Sequence, residues 1–216
     1  MSTLSRRKLC RSWKLYAITC PEQLAGRDPQ KVVEEAILGG ADVIQLRDKK
    51  ADERQLLRQA KELLVITRKH GVPLIVNDHI RIAKESGADG VHLGQEDGPL
   101  ADARKILGES ALIGRSTHSP EQAIAAEQEG FDYVGVGPVY PTPTKPGRAA
   151  TGLDLIRFAS EKLEVPYVAI GGIDLSNLAE VVEAGAIRIA FVRALTGQPK
   201  PEEAAKKLLS IMRKEG

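Results

Sequence analysis

Long apolar runs, charge of one sign, metal-type cysteine spacing and flexible linkers are all missing from this 216-residue chain. Without ~18 consecutive apolar residues, nothing in it reads as a bilayer span. Lys and Arg number 31 against 29 Asp and Glu, a net charge of +2, with no long block of one sign beyond the N-terminus. That balance argues against a nucleic-acid partner or a membrane surface. The only cysteines, Cys10 and Cys20, form no metal or redox spacing. They suggest a reducing compartment, so a cytoplasmic protein is expected. Aromatic residues are scarce; Trp13, Tyr133 and the phenylalanines form no spaced stripe and read as core packing. The lack of a Ser/Gly-rich linker favours one domain.

The first fourteen residues, MSTLSRRKLCRSWK, hold Arg6, Arg7, Lys8, Arg11 and Lys14 and no acid. They lack the apolar stretch of a secretory signal. A solvated arm or short helix is expected over residues 1–13, ahead of a single domain at 14–216; a short organelle-targeting segment is the alternative.

What is present is a recurrence. Short β-branched apolar runs stand at 14–19, 42–47, 73–77, 89–93, 111–115, 132–137, 166–171 and 187–192, with amphipathic stretches between them. Several stretches end in glycine just before the next run (GGADV, SGADG, EGFDY, AGAIR), as suits a left-handed helix terminus. Strands alternating with helices imply a parallel sheet buried on both faces. Eight units predict an α/β fold, a single (βα)8 TIM barrel near the small end of its usual size. An open doubly wound sheet is the alternative, but ITCPEQLAG follows the first run where that fold carries a glycine-rich fingerprint.

Barrel chemistry gathers at the C-terminal ends of the strands. QLRDK ends the second run, and Gln45, Arg47 and Lys49 share one face with Val43 below them. Two cations and an amide there suit a phosphate or diphosphate, or else a salt-bridged rim. Asn77-Asp78 ends the third run, and Gln95, Glu96 and Asp97 follow the fourth. Carboxylates at neighbouring strand ends can share a hard divalent cation such as magnesium.

Ser116, Thr117 and His118 end the fifth run, and His118 is the one histidine considered for acid–base work. His70 and His79 read as solvated, and His92 as a satisfied core residue. VYPTPTKPGR follows the sixth run; its prolines forbid a helix, leaving a stiffened loop with hydroxyls and cations, or an ordinary surface turn. Gly171-Gly172 ends the seventh run, ahead of an Asp174 that reads as a helix cap. Backbone N–H groups near such glycines often hold a phosphate in barrels. Val192-Arg193 ends the eighth.

QLRDK, ND, GADGVHLGQED, STHS, DYVGVGPVYPTPTK and AIGGI together closely resemble the thiamine-phosphate synthase family, over essentially the whole chain from LYAIT onward. GVHLGQED with GPVYPTPTK is the specific part. The resemblance implies a transferase that joins an aminopyrimidine diphosphate to a thiazole phosphate and releases diphosphate. It implies Gln45, Arg47 and Lys49 as the diphosphate-binding face, with Asn77 also meeting the pyrimidine substrate. Asp78 and Asp97 would be the Mg2+ carboxylates, Ser116 would contact the pyrimidine substrate, and Lys145 would hold the diphosphate. Thr142, Pro143, Thr144, Gly172, Val192 and Arg193 would cradle the thiazole phosphate.

Arg47, Lys49, Ser116 and Lys145 are thus the expected catalytic set. Partners would be small-molecule substrates, with a homo-oligomer left open. Many relatives have an acid where this chain has Cys20, and serine where it has Arg193. A thiazole tautomerase of the same fold, using His118, and a non-catalytic sensor of thiamine precursors are the rivals. Retention of the diphosphate and metal residues counts against both.

Overall fold

The computed structural model describes residues 2–24, 26–142 and 149–214. Its strands are β1 (Leu15–Thr19), β2 (Val43–Leu46), β3 (Leu74–Asn77), β4 (Gly90–Leu93), β5 (Leu112–Thr117), β6 (Tyr133–Val136), β7 (Tyr167–Ile170) and β8 (Ile189–Phe191). All pair in parallel in chain order, and β8 closes onto β1 with Ala190 opposite Tyr16. The expected (βα)8 barrel is the observed fold. The strands are mostly a residue or two shorter than the apolar runs.

Helices α2 (Pro29–Leu38), α3 (Glu53–His70), α4 (Ile80–Ser86), α5 (Leu100–Leu107), α6 (Pro120–Glu129), α7 (Asp154–Lys162), α8 (Leu178–Glu183) and α9 (Pro201–Lys214) surround the barrel. In α3 the reason for helix is local. Asp52 and Gln55 form a reciprocal capping box, and Leu56, Ala60, Leu63, Leu64 and Thr67 make one buried stripe. Left-handed glycines, Gly87 (φ 77°) and Gly130 (φ 93°), terminate α4 and α6 at the sites the GAD and GFD motifs marked.

Alternation splits each strand between two cores. Leu15, Ile44, Val76, Leu93, Val134 and Phe191 pack outward under the helices. Tyr16, Ile18, Val43, Ile75, Leu112, Tyr133, Val168 and Ala190 fill the barrel interior.

The N-terminal segment forms helix α1 (Thr3–Ser12), but not a solvated one. Arg6 is 2% exposed, and its Nε donates to Asp132 Oδ1 at 2.7 Å. Arg104 Nη2 and the Ile113 N–H, each at 2.9 Å, donate to the other oxygen of that buried carboxylate. Arg7 donates to the Phe131 and Glu127 carbonyls, and Arg11 to that of Glu164. The three arginines of the segment are spent on groups at the N-terminal ends of the strands, while Lys8 and Lys14 are exposed. Cys10 and Trp13 then plug the barrel from below.

Candidate active site

Above Tyr16 and Tyr133 the interior opens at the C-terminal strand ends into a cavity of about 260 Å³, the scale of a small-molecule site. Gln45, Arg47, Asn77, Ser116, His118, Thr142, Gly172, Val192 and Arg193 line it. Pro143, Thr144 and Lys145 lie outside the described residues.

Lys49 is placed otherwise. It shares the parity of Gln45 and Arg47, but β2 ends at Leu46, and the Lys49 ammonium pairs with Asp78 instead of lining the cavity. Asp78 is held in the left-handed region (φ 63°), and its N–H donates to the His92 carbonyl at 2.9 Å. Non-glycine residues rarely sit there, and such strain clusters at functional sites.

Asp97 comes from the turn after β4, where its Oδ2 accepts the Gly94 N–H at 2.6 Å. Arg115 anchors that turn by donating to the Gly98 and Gln95 carbonyls at 2.7 and 3.1 Å. Asp78 and Asp97 stand close enough that each shifts the other's proton affinity. Burial pushes the Asp78 carboxyl up, but Lys49, with smaller contributions from Asp97 and His92, holds it below the usual aspartate range. Burial and the Asp78 charge raise Asp97, against the Gly94 N–H.

Two carboxylates this close repel when both are ionised, so the pair calls for a proton or a cation between them. No group of three or more His, Cys, Asp or Glu that could hold a metal occurs among the described residues. The donor set fits a hard cation that takes few carboxylates and completes its shell with water and phosphate oxygens.

The far wall is built from close backbone approach. After β6 the chain runs along the end of β7, with Val139 and Tyr140 N–H groups bonded to the Ile170 and Gly171 carbonyls at 3.0 Å. A Cβ on Gly172 (φ 67°) would stand 2.7 Å from Tyr140 Cβ and 2.9 Å from the Pro141 carbonyl oxygen. Only glycine serves that turn. Asn177 Nδ2 ties it down at 2.9 Å through the Gly172 carbonyl.

Asp174 caps the turn that leads into α8, its Oδ1 accepting the Ser176 N–H and its carbonyl the Leu178 N–H, each at 2.9 Å, although the helix itself starts at Leu178. Its carboxylate lines the cavity and is held below the aspartate range by the Ser176 hydrogen bonds, with the Arg193 charge adding to them. Arg193 has the outward parity of Ile189 and Phe191. It reaches the mouth because the strand stops at Phe191 and the chain turns, Leu195 N–H bonding to the Val192 carbonyl at 3.1 Å.

Sequence reasoning missed Tyr16, His92, Tyr133, Asp174 and Gln198 as cavity-lining groups. His92 is satisfied, as expected, but by Tyr133 Oη and Ser116 Oγ rather than by a closed core. A signal existed for the tyrosines: Tyr16 shares the parity of Ile18, and Tyr133 that of Gly135 and Gly137. It becomes readable only once the inward face is known.

Residues 15–195 match the family model described as thiamine monophosphate synthase. The chain is 44% identical over 207 residues to a thiamine-phosphate synthase of Halalkalibacterium halodurans, spanning 95% of this chain and 98% of that one. A thiamine-phosphate synthase of Thermus thermophilus is 51% identical over 176 residues, 81% of this chain and 84% of the relative. A solved thiamine phosphate pyrophosphorylase from Pyrococcus furiosus superposes with a TM-score of 0.85 at 36% identity, covering 98% of both chains.

Proposed function

Since the chain belongs to the thiamine monophosphate synthase family, we propose that it joins an aminopyrimidine diphosphate to a thiazole phosphate, giving thiamine phosphate and diphosphate. It is a transferase of a pyrimidinylmethyl group. The observation that carries this reading is the convergence of Gln45, Arg47, Asn77 and Ser116 on one cavity beside the Asp78–Asp97 pair.

The reaction suits that inventory. The electron-rich pyrimidine expels diphosphate, the C–O electron pair leaving with it, and the thiazole nitrogen lone pair then closes the new C–N bond. That nitrogen carries no proton, so a strong general base is unnecessary. What the protein supplies is stabilisation of the leaving group and alignment of two substrates. Gln45, Arg47, Lys49 and Lys145 face the diphosphate in this reading, and Asn77 and Ser116 hold the pyrimidine end. Thr142, Pro143, Thr144, Gly172, Val192 and Arg193 hold the thiazole phosphate. Asp78 and Asp97 would hold magnesium, which when bound neutralises charge on the diphosphate.

Residues 14–216 constitute the catalytic domain, and residues 1–13 an extension that closes its floor. Both substrates are small molecules, and the enzyme acts in the cytoplasm.

Incubating the protein with both substrates and magnesium tests this. Thiamine phosphate and diphosphate should appear in equal amounts. Their absence from folded protein would remove the synthase reading, and an isomerised thiazole without diphosphate would favour the tautomerase. Asp78→Ala and Asp97→Ala should lower activity and raise the magnesium needed; unchanged dependence in both variants removes the metal site.

A further inference from the structure

Below the cavity a line of hydrogen bonds crosses the barrel interior. Gln45 Nε2 donates to Tyr16 Oη at 2.7 Å, and the Tyr16 and Tyr133 hydroxyls lie 3.1 Å apart. Tyr133 Oη is 3.1 Å from His92 Nδ1, and His92 Nε2 is 2.9 Å from Ser116 Oγ. The line thus joins Gln45, assigned above to the diphosphate face, to Ser116, assigned to the pyrimidine substrate, through three groups that have no assigned role.

Its direction follows from counting protons. Burial raises the Tyr16 phenol, and burial with the nearby Tyr16 raises Tyr133, so both remain protonated and each has one proton to give. Tyr16 receives the Gln45 N–H, so its own proton goes to Tyr133. Tyr133, accepting from Tyr16, gives its proton to His92 Nδ1. A neutral imidazole whose Nδ1 accepts must carry its proton on Nε2, and Nε2 then donates to Ser116 Oγ. Ser116 therefore keeps its own hydroxyl proton for the cavity.

The geometry is fixed from below and from the side. The Trp13 indole meets the Tyr133 ring edge-on at 5.2 Å and the Tyr16 ring at 5.9 Å. A Cβ on Gly114 would stand 2.2 Å from Tyr133 Cζ, so glycine there is what admits the ring. On β6, a Cβ at Gly135 would stand 3.3 Å from His92 Cε1, so glycine there leaves the space that the imidazole occupies.

We propose that Tyr16 and Tyr133 are positioning residues that fix His92 as the Nε2–H tautomer and thereby aim the Ser116 hydroxyl proton at an acceptor atom of the pyrimidine substrate. This rests on the reading that Ser116 meets that substrate.

The test records imidazole nitrogen shifts on the 15N-labelled full-length protein without ligands, about two pH units above the ordinary imidazole value. Wild type should show His92 as the Nε2–H tautomer. Tyr133→Phe should give mixed tautomers, whereas Tyr16→Phe should retain Nε2–H because Tyr133 still has a proton for Nδ1. In steady state, Tyr133→Phe should lower kcat/KM for the pyrimidine diphosphate on the order of tenfold, the value of one misdirected hydrogen bond. KM for the thiazole phosphate should be unchanged.

An Nδ1–H tautomer in the wild type overturns the proposal, and that spectrum needs no variant to fold. So does an unaltered His92 signal in folded Tyr133→Phe. Altered tautomers with unchanged kinetics would keep the network but overturn its link to the pyrimidine substrate. Synthase activity that is missing altogether, with the tautomers as expected, would count against the functional reading rather than the relay.

Discussion

Lys49 and Asp78 meet across the mouth of the barrel, and the pairing has a consequence for metal binding. The ammonium is half exposed while the carboxylate is 18% exposed, so solvent screens the pair but does not cancel it. A divalent cation that needs Asp78 must compete with that ammonium, and a diphosphate arriving with the metal offers Lys49 a second anion. Lys49→Met should therefore tighten manganese binding to the substrate-free protein by roughly two- to fivefold, read by electron paramagnetic resonance. Unchanged or weaker manganese binding would mean that the lysine does not guard the carboxylate pair.

At the scale of elements, α1 has an uneven energetic role along its length. Arg6 holds a buried carboxylate that also serves Arg104 and the β5 backbone, while Lys8 on the same helix is exposed. Breaking a buried pair from one side costs about 3–5 kcal/mol, because a charge is left unmatched. Arg104 remains on Asp132, so the loss for Arg6→Met belongs near about 3 kcal/mol. Urea denaturation should show that shift with the slope retained, and Lys8→Met should stay within about 0.5 kcal/mol. Equal, small effects would make α1 an appendage instead of part of the floor.

For the whole molecule, the buried titratable groups below the cavity set an alkaline limit. Burial raises the Cys10 thiol from 9.0 and the Tyr16 and Tyr133 phenols from 10.0, so the folded state keeps protons that the unfolded chain releases. A raised folded-state value gives stability that is fully present below the unfolded value and lost as pH rises. Stability should thus begin to fall near pH 9.0 from Cys10 and steepen above 10.0 from the tyrosines. The slope is about 1.4 kcal/mol per pH unit for each group. Denaturation midpoints measured across that range should fall in this order, and Cys10→Ala should flatten the first, shallower limb, leaving the part due to Cys20, whose thiol burial also raises. A flat profile to pH ~11 would show that these groups ionise without unfolding.

Periodicity and side-chain chemistry are local properties of a chain, and they were enough to place the eight strands, the closing glycines of α4 and α6, and the strand ends where the cavity opens. The same local information placed Gln45, Arg47, Asn77 and Ser116 on the cavity and Asp78 beside Asp97. It failed where an answer depends on which way a face turns or on a partner far along the chain. Arg6 read as solvated because its partner Asp132 lies on another element, and a lone arginine carries no mark of a buried carboxylate. Lys49 read as a companion of Arg47 because alternation was continued past Leu46, where strand geometry stops. Arg193 could not be assigned from parity, since the turn after Phe191 and not the strand directs it. Tyr133 and His92 read as core; Tyr133 is core, as is Tyr16, while His92 is half-buried on the cavity wall. Only the closed barrel brings their polar atoms into one line, because hydrogen bonds between distant strands are set by register and curvature rather than by the residues alone.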